Sequence, residues 1–477
     1  MRALVLLLAL PVALTACVKS SDSTTPSPNP NAGSQARFAP LSGIMPFPND
    51  LYFNGSTTGT LNIPVLDTTQ AANAPTLAMN HLDGFGTQSV INAYFTTAVD
   101  PASLNAGDVM VFQVSTDPAT KAVIGFVKPL VLGTDYSVGV SDSADSDGTV
   151  LNITPLKPLA GGSSYLVVLT SDIKDTDGNN MVASSDFASI IAADEPALAA
   201  GGDLTKIDTS KLTSDELLPV AQFTLGQLGV AAALNVDMTK VVLTFSFSTQ
   251  YIGASLQTLA ATATATAQPA GVGIVDTGLT ASDALKAGGI TSPPAAAALA
   301  EIYAGTVALP YYSALPTTDD TTAPLTGYWH GAKNGGDTTA LDALPKATAA
   351  QNIIPILVSI PNATSGCTQP AGTGWKTVIF QHGITQNREN MFAVAGSFAS
   401  QCFAVVAIDL PLHGVTDTKD PLYMADFERT FNLPEVTPFF STSSSTIAPS
   451  GSYFINLGSL LTSRDNLREG VADLINL

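Results

Sequence analysis

Between Val90 and about Phe187 the chain alternates short apolar runs with turn residues. Ala93 to Thr97, Val109 to Val114, Tyr136 to Val140, Val150 to Ile153 and Tyr165 to Thr170 are each of strand length and bounded by Gly, Pro, Asp or Ser. That spacing predicts a β-sandwich of the immunoglobulin-like kind over about residues 85–187. Upstream, Pro46 to Asn54 and Gly59 to Val65 are turn-rich with short β-prone pieces. Ser214 to Leu228 changes to helical spacing despite Pro219 and Gly226, Val241 to Ser248 alternates like a half-buried strand, and Leu256 to Thr266 suits a helix or linker. Gly, Pro and Ala crowd between Gln268 and Pro294, where a domain boundary is expected. Beyond it the pattern changes again. Ile302 to Tyr312 and Ile353 to Ile360 read as strands, and Val378 to Gln381 and Phe403 to Ile408 as continuously apolar, buried parallel strands flanking a helix over Asn387 to Ser400. In the last stretch, Ser463 is a candidate N-cap with Asp465 in the first turn, and Leu467, Val471, Leu474 and Ile475 share one helical face.

The N-terminus gives an address. Arg2, the apolar run Ala3 to Leu14 and Leu14-Thr-Ala-Cys17 resemble a bacterial lipoprotein signal, with residues 1–16 removed and Cys17 lipidated. The run is far short of the roughly 20 residues of a membrane-spanning helix. Val18 in place of an aspartate points to the outer membrane, so the expected membrane contact is the Cys17 lipid. Ser20 to Gln35 is too polar to fold, and residues 17–37 are read as a tether. The net charge is -20, from 19 Lys and Arg against 39 Asp and Glu. No basic stripe accompanies it, which argues against nucleic-acid binding.

Cys367 and Cys402 suit one structural disulfide in an oxidising compartment, with two buried free thiols as the alternative. Asp142, Asp145, Asp147, Asp175 and Asp177 could offer oxygens to calcium, but Asp-Gly pairs without a correctly spaced glutamate favour hairpin turns. His81 and His330 have no metal-ligand spacing, so neither metal nor cofactor is expected. Trp329 and Trp375 are read as packing residues.

Four motifs occur in order: Pro46-Phe-Pro-Asn-Asp50, Gln381-His-Gly-Ile-Thr-Gln-Asn-Arg388, Asp409-Leu-Pro-Leu-His-Gly414 and Ser463-Arg-Asp-Asn-Leu-Arg468. Together they resemble the bacterial extracellular lipase and lysophospholipase lipoproteins that have a virulence-factor lipase N-terminal domain. The resemblance implies a mixed multidomain protein: residues 38–268 as that N-terminal domain, mainly β, and residues 295–477 as the first half of an α/β-hydrolase parallel sheet. It implies a serine esterase acting on acyl esters of lipids. Ile384 would supply a backbone oxyanion donor from the loop of His382 and Gly383, while Asp409, His413 and Gly414 fix the neighbouring loop.

A serine hydrolase also needs a nucleophile, a base and an acid. Gly-x-Ser-x-Gly occurs nowhere in the chain. The final helical pattern stops without a capping Gly or Pro, so the expectation is a chain cut off before its nucleophile, inactive alone, with the Val378 strand as an open edge. Gly414 to Thr462, including Phe439-Phe440 and Tyr453-Phe-Ile455, is read as a lid or acyl-contact insertion or, equally, as a surface excursion. The reading from another class is a non-catalytic envelope lipoprotein that binds a partner through its β domain.

Overall fold

The computed structural model describes residues 34–142, 148–263, 273–434 and 447–477. The signal, Cys17, most of the tether, Asp145, Asp147, Phe439 and Phe440 lie outside the described residues. Two compact units divide between Ile252 and Gly253, ahead of the Gln268 to Pro294 stretch.

In chain order, the first unit holds β1 (Gln35–Ala36), α1 (Ala74–Met79), β2 (Ile91–Phe95), β3 (Val109–Thr116), β4 (Val123–Pro129), β5 (Tyr136–Asp142), β6 (Thr149–Pro155), β7 (Ser164–Thr170), β8 (Val182–Ala183), α2 (Ser185–Ala199), α3 (Leu218–Ala233) and β9 (Val241–Ser248). Two sheets form, ordered β5-β6-β2-β1-β8 and β4-β3-β7-β9. Alternation sets the inner face: Ile91, Ala93 and Phe95 of β2 and Leu151 and Ile153 of β6 are buried while their neighbours are partly exposed. β4 was missing from the sequence reading because its burial is confined to Val123, leaving no alternating signal.

The second sheet departs from alternation. All seven residues of β7 and all eight of β9 are buried, because α3 lies over β9 and β4 and covers the other face. β9 is therefore fully buried rather than half-buried. Its last residue is held by Asp50, whose carboxylate accepts hydrogen bonds from the Ser248 N–H (2.7 Å) and Oγ (2.9 Å). The two residues that argued against α3 are both accommodated. Pro219 stands in the first turn, where its missing N–H costs nothing. At Gly226 the helix comes so close that a Cβ would lie 2.0 Å from the Val123 carbonyl oxygen.

The second unit holds α4 (Ala254–Ala263), β10 (Gly273–Thr280), α5 (Ala281–Ala287), β11 (Ala300–Tyr311), β12 (Ala349–Pro361), β13 (Lys376–Phe380), α6 (Phe392–Ala399), β14 (Phe403–Ile408) and α7 (Leu460–Asn476). One five-stranded sheet runs β10-β11-β12-β14-β13. It is mixed rather than parallel: the neighbours from β10 to β14 are antiparallel, and only β13 and β14 run together, joined by the crossover helix α6. β14 is buried on both faces, Val405 and Ala407 with α6 on one side and Val406 and Ile408 beneath α7 on the other. β13 is the sheet's last strand, and its residues are exposed or half-exposed, not buried as its apolar run suggested. Cys367 and Cys402 are joined in a disulfide that ties the approach to β13 to the start of β14.

Helix α7 reverses part of its expected orientation. It starts after Ser459, not Ser463, and buries a polar stripe of Asp465, Glu469 and Asp473, four residues apart. Asp465 accepts from the Trp329 N–H (2.8 Å), Glu469 from the Ser313 N–H and Trp329 Nε1 (both 2.8 Å), and Asp473 pairs with Arg429. Because these carboxylates satisfy buried donors, Leu467 and Val471 turn outward. Leu474 and Ile475 remain packed.

Candidate functional site: the paired His-Gly loops

Strands β13 and β14 are parallel and in register, Lys376 opposite Phe403 through Phe380 opposite Ala407. Their C-terminal ends therefore release two loops side by side, Gln381 to Asn387 and Asp409 to Gly414. The carboxyl ends of parallel strands are where α/β sheets place their sites.

His382 and His413 are both buried, with ring centroids 5.0 Å apart. Nε2 of His382 accepts the Leu410 N–H (3.1 Å), and its Nδ1 lies 2.8 Å from the Gly383 carbonyl. Likewise Nε2 of His413 accepts the Thr385 N–H (3.2 Å) while Nδ1 meets the Pro411 carbonyl at 2.8 Å. Each ring thus carries its proton on Nδ1 and laces one loop to the other or to itself. Burial lowers the pKa of His382 and pushes that of His413 down to about 4, so both are neutral at pH 7. The 3.7 Å separation of His382 Nε2 from Asp409 is accordingly not an ion pair. Neither imidazole has a nitrogen left to act as a base.

Asp409 is fully buried. One of its oxygens accepts the Arg388 backbone N–H (2.7 Å), and the other is ion-paired to the Arg388 guanidinium. Arg388 also donates to both oxygens of Glu428 (2.7 and 3.0 Å) and to the Leu422 carbonyl (2.7 Å). Glu428 in turn accepts the N–H groups of Val415 and Met424, both at 3.0 Å. Arg429 donates to the Asp409 carbonyl (2.8 Å) and stacks 5.4 Å above the Tyr311 ring. Two glycines are required by this packing: a Cβ on Gly414 would stand 2.3 Å from Glu428 Oε2, and one on Gly451 2.2 Å from His413 Nε2. Thr385 and Leu412, one in each loop, adopt positive φ of 70° and 61°, a local cost of about 1–3 kcal/mol each that the surrounding bonds sustain.

Among the described residues the N–H groups of Gly383, Ile384 and Leu412 in these loops meet no acceptor. Ile384 is half exposed, and among the described residues its backbone N–H meets no acceptor, whereas the next N–H, that of Thr385, is taken by His413. A backbone N–H without an acceptor inside the protein can donate to an oxygen outside it.

Sequence reasoning singled out His382, Gly383, Ile384, Asp409, His413 and Gly414, and the structure brings all six together. It missed Glu428 and Arg429, which sit in the stretch read as a lid or excursion. Their adjacent opposite charges inside a chain with few charged residues were the available signal. Of that stretch, Phe454 is buried and packs edge-on against His413, and Ile455 is exposed. Elsewhere, Asp175 accepts from Ser34, Asp177 and Asn179, which uses its oxygens within a hairpin turn. Among the described residues no cluster of His, Cys, Asp or Glu could hold a metal, and no helix is long and apolar enough to cross a membrane.

Residues 64–189 match the bacterial Ig-like domain family. The first unit therefore contains a bacterial Ig-like domain within a mainly-β multidomain chain, and the match spans β2 to β8 and the start of α2. β1 and β9 lie outside the matched span, yet β1 bridges β2 to β8 and β9 completes the four-stranded sheet. No curated protein matches the chain at a significant level.

Proposed function

We propose that the second unit carries the oxyanion side of a carboxylic-ester hydrolase site and that the protein serves hydrolysis of lipid acyl esters at the cell envelope. The observation that carries this reading is the Ile384 N–H, which meets no acceptor among the described residues and stands at the carboxyl end of β13 in a loop tied down through His382 and His413. In α/β-hydrolases a backbone N–H from the loop between a sheet strand and the following helix forms half of the oxyanion hole, and the residue after the nucleophile forms the rest. The crossover β13–α6–β14 supports the same reading.

His382, Asp409 and His413 position the loop and take no part in proton transfer. The nucleophile, base and acid are proposed to come from polypeptide outside these 477 residues. The edge of β13, which pairs with β14 alone among the described strands, offers a place where a further strand can join the sheet. One donor alone holds a tetrahedral intermediate poorly, since losing its partner costs on the order of 3 kcal/mol.

The test compares p-nitrophenyl ester hydrolysis by this chain with that of a version extended by the coding sequence downstream of Leu477. Turnover by the extended protein alone is expected, and Ile384→Pro, which deletes the N–H, should lower its kcat by about a hundredfold with little change in KM. Turnover by the 477 residues alone, or none by the extended protein, overturns the reading. The envelope address is proposed on Leu14-Thr-Ala-Cys17. It predicts that labelling with radioactive palmitate disappears in Cys17→Ser.

A further inference from the structure

Three of the bonds that hold the paired loops run end to end. Arg429 Nη1 donates to the Asp409 carbonyl (2.8 Å), and the N–H of that same peptide group, on Leu410, donates to Nε2 of His382 (3.1 Å). The other ring nitrogen, Nδ1, donates to the Gly383 carbonyl (2.8 Å), which also accepts the Gln386 N–H (3.1 Å) and shares its peptide group with the Ile384 N–H. In a trans peptide C=O and N–H point in opposite directions, so each group in the line accepts on one side and donates on the other. A guanidinium stands at the head, and an N–H without an acceptor stands at the tail.

The head is a costly residue to bury. Arg429 is 1% exposed, and a single nitrogen, Nη1, serves both the Asp409 carbonyl and the Asp473 carboxylate of α7. Nε and Nη2 are buried without an acceptor among the described residues. Well-packed apolar side chains could replace such an ion pair without loss, so pairing with Asp473 does not by itself account for a guanidinium here.

The tail is singled out as well. Gly383 and Leu412 also carry N–H groups without an acceptor. The carbonyl that shares a peptide with the Gly383 N–H, that of His382, meets the neutral Gln381 amide at 3.4 Å. The Leu412 N–H ends a similar line, from the Thr385 N–H through His413 to the Pro411 carbonyl. At its head the Ile384 carbonyl receives no donor among the described residues, and Leu412 itself is buried. The line to Ile384 is thus the one of the three that joins a cation to a half-exposed residue.

We propose that Arg429 is a positioning residue for the oxyanion donor: its charge, passed through the Asp409–Leu410 peptide and His382, polarises the Gly383–Ile384 peptide and makes the Ile384 N–H a stronger donor to an arriving oxyanion. Hydrogen bonds in a chain strengthen one another where the dielectric is low. Asp473 sets the opposing bias, since it neutralises the guanidinium from α7. The purpose of the line rests on the ester-hydrolase reading, whereas its existence is tested without turnover.

An exposed amide that needs no opening exchanges with water at a rate set by the acidity of its peptide. Water-to-amide exchange of Ile384, followed by NMR in the full chain with isotopically labelled isoleucine and threonine, reads that acidity. Arg429→Met combined with Asp473→Asn removes the charge without stranding a carboxylate and slows Ile384 exchange by about tenfold. Asp473→Asn alone leaves the guanidinium without its counter-charge and speeds the exchange. Arg429→Lys, which can replace the one bonding nitrogen, changes it little. The Thr385 N–H, held by His413, keeps its protection throughout, which separates polarisation from a loosened loop. In His382→Phe, which cuts the line, the Arg429 and Asp473 changes no longer move Ile384. Changes of the same sign in the double variant and in Asp473→Asn, a response that persists in His382→Phe, or an Ile384 rate indifferent to all of them overturns the proposal. If the double variant does not fold, the acceleration in Asp473→Asn and its loss in His382→Phe decide. Failure of the ester-hydrolase reading shows separately, as an extended protein without turnover, and leaves the exchange result standing.

Discussion

Buried carboxylates in the two units, Asp409 and Glu428 in one and Asp194 in the other, meet the same physical problem in opposite ways. In the second unit Asp409 and Glu428 lie fully out of water, in contact with the Arg388 guanidinium and with the backbone N–H groups of Arg388, Val415 and Met424. In the first unit Asp194, on α2, is equally inaccessible, and neither of its oxygens has a hydrogen-bond partner. Burial alone pushes its pKa up to about 8, so it holds a proton at pH 7. A buried carboxylate that is paired organises the loops around it. One that is unpaired neutralises itself and organises nothing.

The comparison breaks first at Arg388. Arg388→Met keeps the length of the side chain but strands two carboxylates and frees the Leu422 carbonyl. A loss of about 3–5 kcal/mol in chemical denaturation is expected, accompanied by altered chemical environments of His382 and His413 seen by NMR. Adding Glu428→Gln to that variant should return part of the loss, because one of the stranded charges is removed. If the double variant is no more stable than the single, the guanidinium is not what holds Glu428.

Asp194 sharpens the other side. Its folded pKa lies above its unfolded value, so the folded state binds the extra proton, and stability contributed below pH 4 is lost as pH rises towards 8. Asp194→Asn cannot ionise and lacks that slope. The two proteins should be equally stable near pH 4 and diverge as pH rises, the variant leading by ~2–4 kcal/mol at pH 8. Parallel curves across that range would mean that a partner reaches Asp194 in solution.

Legibility in the sequence followed the same divide between apolar and polar burial. Strands whose apolar residues alternate or run continuously were the readable ones: β9 and β14 match their expected limits, while β12 begins four residues before Ile353, in a stretch with exposed positions. β4 and β10 were not, since both lie at sheet edges with most side chains exposed and neither repeats at period two. The two histidine loops were readable because His-Gly after an apolar run is a local pattern. Their clamp was not, because Arg388 and Glu428 are forty residues apart and only the fold brings them together. Helix α7 misled for a related reason: its apolar face was plain, but hydrophobic periodicity carries no term for buried Trp329 and Arg429 donors that draw Asp465, Glu469 and Asp473 inward.

His413 stands between the two cases, since its surroundings satisfy one protonation state and not the other. Its Nε2 accepts the Thr385 N–H, and Gly451 packs against the same edge of the ring, so a second proton at Nε2 would face a donor with no room to turn away. Burial accordingly holds its folded pKa near 4, below the 6.5 of the unfolded chain. The sign is opposite to that of Asp194. Here the unfolded state takes the proton first, so stability is full above pH 6.5 and falls as pH drops towards 4, by ~2 kcal/mol. His413→Gln, which can still accept from Thr385, should flatten the acid limb of a stability profile measured on the second unit while costing less at pH 7 than the Arg388 change. A histidine resonance of His413 titrating near 6.5 in the folded protein would show instead that the ring is free, and that the loop bearing Ile384 is held by something other than its imidazole.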